Sequence, residues 1–448
     1  MNPLKAIADA TRGGRWENRL FLVGGAVRDE LLGLSVSGDF DIVLEGDAEE
    51  LARFLYEQGV SSVAPAMYPR FGTAMVRVES VNVELASARK ESYVEESRKP
   101  DVQPATLLED AKRRDFTINT LLRNLHTGEL LDLLHAGLPD LEARTLRTPL
   151  DAGDTFSDDP LRMIRAIRFK VRFQLAPAPG LMEAISENTE RLRIVSFERI
   201  RDEIVKILEG PNPQVALADL MDTGLLDVFA PEFREGIGVE QGSYHSKDVW
   251  GHTLDVVEKA QGKSLLVLLA ALLHDIGKPR TTSTEEGGRI RFFGHEEIGA
   301  DTAREILRQL KFSNDTVEDV ALIVKNHMRL GSAVPFTPAA ARRLRRDLGD
   351  LVEPLIEVCE ADATALARIP KGIDFSDVRA KLAQVERAVE NRTFDSPLSG
   401  EEIMAITGAE QGPDVGRFKQ LLSDAVVEGR IAPDDKGAAT IMLRALAN

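Results

Sequence analysis

The sequence predicts an α+β chain in which an α/β head precedes an all-α body. Three observations carry this reading. Short β-rich runs are mixed with helical stretches between about residues 21 and 145. From about Asp159 onward the strand signals nearly vanish. The 448 residues also exceed what one core fills, so two to four domains are expected.

In chain order, FLVGG, FDIVL, TAMVRV and VNVELAS read as strands, and Asp47 to Gln58 reads as a helix. The segment between Arg89 and Arg113 is polar, carries prolines and reads as a mobile loop. Pro160 to Arg172 places Leu161, Ile164, Ile167 and Phe169 between arginines, the pattern of an amphipathic helix. Helices are expected to continue to the C-terminus, punctuated by clusters such as Gly210-Pro211-Asn212-Pro213. Breaks near Arg147-Thr148-Pro149, Gly236 to Gly242 and Pro370 to Gly372 divide the chain into 1–147, 148–235, 236–370 and 371–448.

Composition narrows the classes. A single cysteine, Cys359, excludes a disulfide framework and fits a reducing cytoplasm. The opening MNPLKAIADATRGGRW has no apolar signal core, and the apolar run Leu265 to Leu273 is too short to cross a bilayer. A cytoplasmic location without a membrane partner is expected, and no protein partner is inferred. The net charge of −17 confines any nucleic-acid footprint to local clusters. These are Arg113-Arg114, the series Arg162, Arg165, Arg168, Lys170 and Arg172, and the run Arg342 to Arg346. Each cluster reads equally well as a solvated helix face with salt partners.

The chemistry concentrates in residues 22 to 44. A strand runs into Gly24-Gly25 and then a helix holding Arg28 and Asp29. Glycines there let backbone N–H groups approach a phosphate. Asp39 and Asp41 flank Phe40 on the next strand, and residues two apart share a face. Two adjacent carboxylates repel unless a cation lies between them, and Mg²⁺ held jointly with substrate phosphates is the usual solution. Glu84 in VNVELAS offers a further acid but reads equally as an exposed strand-end residue. It is not placed in the catalytic set.

GGAVRD, DFD, RRDFTIN (Arg113 to Asn119) and DDPLRMIRAIRF (Asp158 to Phe169) follow one another in a recognisable order. The chain resembles the class II tRNA nucleotidyltransferases and bacterial poly(A) polymerases, within the DNA polymerase β superfamily. The resemblance covers roughly the first half of the chain. It implies that Asp39 and Asp41 hold Mg²⁺, and that Gly24, Gly25 and Arg28 meet the triphosphate. Arg114, Asp115 and Asn119 would help hold the nucleotide. Asp159 and Arg162 would present a protein edge to the incoming base, with Arg165 and Arg168 in support. The spacing of Asp158, Arg162 and Arg165 is read as one helical face. The family usually carries Glu-Asp before Pro-Leu-Arg, where this chain has Asp158-Asp159. The polar loop after Arg89 resembles one that converts the site from CTP to ATP use.

A second signal comprises His252, His274-Asp275 in LLHDIGKP, and Asp362, which resemble the HD phosphohydrolase superfamily. His295 and His327 add candidates for a second metal. Mixed nitrogen and oxygen ligands suit Mn²⁺, Ni²⁺, Fe²⁺ or Zn²⁺. A metal site of this kind implies hydrolysis of a phosphate ester such as a 2′,3′-cyclic phosphate, with a purely structural HD fold as the competing reading.

The expectation is therefore a nucleotidyltransferase head (1–147), a helical neck with a nucleotide-recognition helix (148–235), an HD metal-binding domain (236–370) and a helical tRNA-binding tail (371–448). The function it implies is template-independent addition of CMP and AMP to the tRNA 3′ end, with tRNA, CTP and ATP as partners. CC-adding, A-adding and poly(A)-adding enzymes share the head motifs and remain alternatives. A phosphohydrolase whose head only binds RNA, or a nucleotide-sensing regulator, would predict decay of Asp39 and Asp41, which are intact.

Overall fold

The computed structural model describes residues 2–35, 38, 40–94, 97–241, 246–285, 287–330, 336–366, 374–389, 395–427 and 429–447. It divides into two compact units, Met1–Pro231 and Glu232–Asn448.

The first unit is built on a seven-stranded mixed sheet. Its strand order is Ala66–Tyr68, Thr73–Val78, Val81–Ser87, Phe40–Leu44, Leu20–Val23, Leu122–Asn124 and Leu130–Leu131. Phe40–Leu44 lies near the middle, parallel to Val81–Ser87 and antiparallel to Leu20–Val23. Its apolar residues serve two cores, as expected of a strand covered on both faces. Leu20, Ile42, Leu44 and Leu85 pack with Leu51 and Leu55 of the helix Ala48–Glu57. Phe21, Val23 and Val43 pack with Ala88 and Leu122. Asp47 caps that helix by accepting the N–H groups of Glu49 and Glu50, which fixes its start where the charge pattern predicts.

The polar segment after Arg89 corrects the expectation of a loop. It forms an antiparallel hairpin, Arg89–Val94 with Ser97–Pro104, followed by the helix Leu107–Lys112. Few apolar residues occur in the hairpin, so hydrophobic alternation could not reveal it. The helix is closed by a capping box between Thr106 and Glu109.

The helices Ala152–Asp158, Leu161–Arg172, Leu181–Asn188, Phe197–Leu208 and Pro213–Asp222 complete the core of this unit. The amphipathic helix expected from Pro160 is present, with Pro160 as its cap. Asp158 does not share its face. It ends the preceding helix, and Asp159 between the two is extended, with φ −133° and ψ 97°. The residue before a proline is driven out of the helical region by the proline ring, and that breaks the helix there.

The second unit is mostly helical. The helix Leu265–Leu273, capped by Ser264, is buried nearly all round and forms the centre of its core. A short hairpin, Thr282–Thr284 with Ile290–Phe292, interrupts the helices. Near the C-terminus, Gly400–Thr407, Pro413–Val427 and Lys436–Ala447 enclose a core of Leu398, Ile403, Leu422, Ala425 and Leu443. No helix among the described residues is long and apolar enough to cross a membrane.

Candidate functional site

The head site forms where the central strands meet the glycine turn. Gly24 has φ +76°, a conformation that side chains resist, and begins the helix Gly25–Leu31. A Cβ at Gly24 would lie 3.8 Å from both Arg114 Nη1 and Asp41 Oδ2. The glycine, an exposed carboxylate and a guanidinium therefore converge on one spot. Asp41 is in register with Glu84 on the parallel neighbour strand. Glu84 is pushed above the usual carboxylate range by burial and by the charge of Asp41, with Arg89 opposing. A pair of acids held side by side in this way suits a cation. Asp39 lies outside the described residues.

Behind this corner runs a buried polar chain. Arg28 donates to Asp29 through Nε at 2.8 Å and to Asn119 Oδ1 through Nη1 at 2.6 Å, and it stacks on Phe173. Burial lowers its pKa, opposed by Asp29. The Asn119 amide donates to Asp115 Oδ1 at 2.8 Å, and Arg165 Nε donates to Asp115 Oδ2 at 3.0 Å. Burial alone would raise the Asp115 pKa, but the Arg165 guanidinium outweighs it and brings it to about 2. Arg168 Nε donates to Glu203 Oε2 at 2.6 Å, and Arg165 Nη1 stands 3.8 Å from the same carboxylate. Arg114 donates to Asp110 Oδ2 through Nε at 3.1 Å and Nη2 at 2.9 Å, while Arg113 takes Oδ1.

The two groups expected to face a base are held separately. Arg162 donates from Nη2 to the Arg113 carbonyl at 2.5 Å and from Nη1 to the Thr155 carbonyl at 3.4 Å. Asp159 Oδ1 accepts the Leu161 N–H at 3.3 Å, and its Oδ2 accepts from Arg199 Nη2 at 3.0 Å. Asp158 is half-buried at the end of its helix.

In the second unit, five helical segments bring six expected residues together. His252 sits on Val249–Lys259, His274 caps Leu265–Leu273, and Asp275 follows it. His295 opens His295–Gln309, His327 follows Asn314–Asn326, and Asp362 lies on Val352–Ala365. The Nδ1 atoms of His274, His295 and His327 lie 2.6 to 2.8 Å from the carbonyls of Ala271, Phe292 and Val324. A carbonyl only accepts, so each Nδ1 donates and each Nε2 is left to ligate.

Asp275 is shared between two sets. Its Oδ2 is 3.1 Å from His274 Nε2 and 3.7 Å from His252 Nε2. Its Oδ1 is 3.6 Å from His295 Nε2 and 3.7 Å from His327 Nε2. Asp362 Oδ1 reaches His252 Nε2 at 3.0 Å. Two ligands at bonding distance from one ion stand about 2.9 to 3.4 Å apart; the 3.1 and 3.0 Å spacings fall in that range, and the 3.6 to 3.7 Å spacings would close by a few tenths of an ångström around an ion. His274 Nε2 is buried without a hydrogen-bond partner, an orphan that an ion would satisfy. Burial and the neighbouring His274 lower the His327 pKa to about 4, leaving it neutral as a ligand must be. Asp275 is held well below the usual range: burial would raise it, but His274, Lys278 and His252 prevail.

Comparison with known families matches residues 20–147 to the poly A polymerase head domain, 174–236 to the probable RNA and SrmB-binding site of polymerase A, and 242–367 to the HD domain. An A-adding tRNA nucleotidyltransferase of Deinococcus radiodurans is 34% identical over 75% of this chain and 79% of its own length. A CC-adding tRNA nucleotidyltransferase of Thermus thermophilus is 31% identical over 94% of this chain and 93% of its own. The chain belongs to the tRNA nucleotidyltransferase family. In fold it matches the Bacillus stearothermophilus CCA-adding enzyme solved with CTP, at a TM-score of 0.71, 22% identity, and coverage of 100% and 98% of the two chains. A nucleotidyltransferase head joined to an HD domain implies use of divalent metal.

Several residues of this family member escaped sequence reasoning. Glu84 was legible as a further acid but stayed outside the catalytic set, and strand register now sets it beside Asp41. Glu203 and Arg199 lie far in sequence from the groups they hold, whereas Asp110 stands only three and four residues before Arg113 and Arg114, a helical spacing that could have marked it. Lys278 stood in plain view in HDIGK, where a helical spacing of three from Asp275 could have marked it. It is buried, 2.6 Å from Asp275 Oδ2 and 2.7 Å from Gln241 Oε1.

Proposed function

We propose that this chain adds CMP and AMP to the 3′ end of tRNA, using CTP and ATP and releasing pyrophosphate. The observation that carries the reading is the convergence of Asp41, Glu84, Gly24 and Arg114 in a head of this family. Asp39 and Asp41 would hold Mg²⁺, which when bound would supply positive charge to the triphosphate and to the attacking 3′ hydroxyl. Gly24 and Gly25 admit the phosphates, and Arg114 offers them a cation. Arg28, Asp115 and Asn119 brace that corner from behind. Asp159 and Arg162 read the edge of the base, and Arg165 and Arg168 keep their helix in place. Asp158 ends the preceding helix beside them. A cytoplasmic setting fits the single buried cysteine.

Because relatives of similar identity are named for A addition and for CC addition, a division of labour is the second reading. The deciding experiment supplies tRNA ending at the discriminator base, at C, or at CC, with labelled CTP and ATP separately. Extension of all three to CCA supports the main reading, and a single competent step supports the second. Asp41→Ala should reduce addition below detection in a folded protein. Substantial CMP incorporation at ordinary Mg²⁺ would sink the carboxylate assignment.

For the second unit, His252, His274, Asp275 and Asp362 form one ligand set, and His295 and His327 extend it through Asp275. Their nitrogen and oxygen donors favour Mn²⁺, Ni²⁺, Fe²⁺ or Zn²⁺ over Mg²⁺. Bound there, such an ion supplies an activated water for hydrolysis of a phosphate ester. Titrating each ion against a 2′,3′-cyclic phosphate substrate tests this. Inactivity with every metal would reduce the domain to a scaffold.

A further inference from the structure

The helix Phe197–Leu208 does more than pack beside Leu161–Arg172. It presents two groups one turn apart on one face, Arg199 and Glu203. Glu203 is buried and takes Arg168 at 2.6 Å. Arg199 lies in the first turn, where the helix field disfavours a cation, so its placement needs a compensating anion. That anion is Asp159, gripped by Arg199 Nη2 at 3.0 Å and Nη1 at 3.5 Å.

We propose that Arg199 is a positioning residue that sets the nucleotide choice of this enzyme by fixing the carboxylate plane of Asp159. The inference rests on the base-reading assignment of Asp159 and Arg162.

Arg162 is anchored to two backbone carbonyls, so its position is set by the fold. Asp159 has no such anchor. It stands on extended backbone between two helices, and its described restraints are the Leu161 N–H and the Arg199 guanidinium. Arg199 Nη2 holds Oδ2 at 3.0 Å, while Oδ1 receives the longer contacts from the Leu161 N–H at 3.3 Å and Arg199 Nη1 at 3.5 Å and keeps capacity for a further donor. A carboxylate only accepts. It therefore suits the exocyclic amino group that cytosine and adenine share, and opposes the carbonyl oxygen that uracil and guanine carry there. Without Arg199 the carboxylate can turn about its own bond, and the amino group loses a fixed acceptor. A half-exposed ion pair of this kind contributes little to folding, so its effect should appear in selectivity.

The test measures kcat/KM for CTP, ATP, UTP and GTP on tRNA lacking its end, for Arg199→Ala, Arg199→Lys, Asp159→Asn and the double variant Arg199→Ala with Asp159→Asn. Arg199→Ala should cut the preference for CTP over UTP by roughly tenfold or more, with KM for tRNA and the melting temperature unchanged. Arg199→Lys should keep most of the preference. The double variant should discriminate no worse than Asp159→Asn alone, as residues acting through one contact do. An intact preference in Arg199→Ala, or a change confined to KM for tRNA, overturns the proposal while leaving the base-reading assignment standing. An intact preference in Asp159→Asn refutes that assignment itself, and the role of Arg199 falls with it.

Discussion

Asp115 ties its own turn to the helix Leu161–Arg172: it accepts from Asn119 and from the N–H of Phe116 within the turn, and from Arg165 on the helix. Its folded pKa of about 2 lies below the ordinary 3.8. A carboxylate with a depressed pKa stabilises the fold above its unfolded value, and this contribution fades as pH falls through the interval down to the folded value. The shift corresponds to about 2 kcal/mol at neutral pH. Asp115→Asn should therefore lower the unfolding free energy of Met1–Pro231 by at least that order at pH 7. The gap from the unmodified protein should stay constant down to about pH 4.5 and narrow toward pH 2.5. Urea unfolding at the three pH values checks it, and a gap independent of pH would show that the Asp115 charge is not what holds Arg165.

At the scale of elements, the HD cluster depends on one close approach. Gly277 passes so near the start of His295–Gln309 that a Cβ there would strike the His295 carbonyl and lie 2.6 Å from Gly299 N. Backbone on the far side cannot rotate away as a side chain could, and overpacking of this kind costs about 1–3 kcal/mol or more. Gly277→Ala should push that helix outward and displace His295. The expected outcome is a lower calorimetric transition for Glu232–Asn448 and less metal retained per chain after gel filtration. Unchanged metal content would mean that the helix tolerates the shift without moving its histidine. The hairpin Arg89–Pro104 teaches the opposite lesson about elements. Its strands are held by backbone pairing, which is blind to side-chain pattern, so composition pointed to a loop.

At the scale of the molecule, each compact unit carries its own core and its own acidic or histidine-rich cluster. His274→Ala combined with Asp275→Ala should remove hydrolysis of a cyclic phosphate while sparing CMP and AMP addition to intact tRNA. The two activities should also differ in metal preference, because oxygen-only and mixed nitrogen–oxygen donors select different ions. Parallel assays with Mg²⁺, Mn²⁺ and Ni²⁺ would measure both. Loss of nucleotide addition in a well-folded double variant would show instead that the second unit helps hold the RNA.

The sequence by itself determined the order of the chemistry. GGAVRD, the acids around Phe40, RRDFTIN, DDPLR and the HD doublet are local strings, and local spacing suffices to read them. It also determined the α/β head and the helical body, since hydrophobic period reports on local conformation. Only the tertiary structure decided who holds whom. Glu84 became a neighbour of Asp41 through strand register across more than forty residues. Asp275 became the carboxylate common to two candidate ligand sets because four separate helices deliver histidines to it. Arg162 and Asp158 parted because a proline between them ended one helix and began another. Pairings between distant segments carry no periodic signature along the chain. They arise when cores close, and the choice among possible partners for a charged side chain is made by burial, which no short stretch of sequence contains.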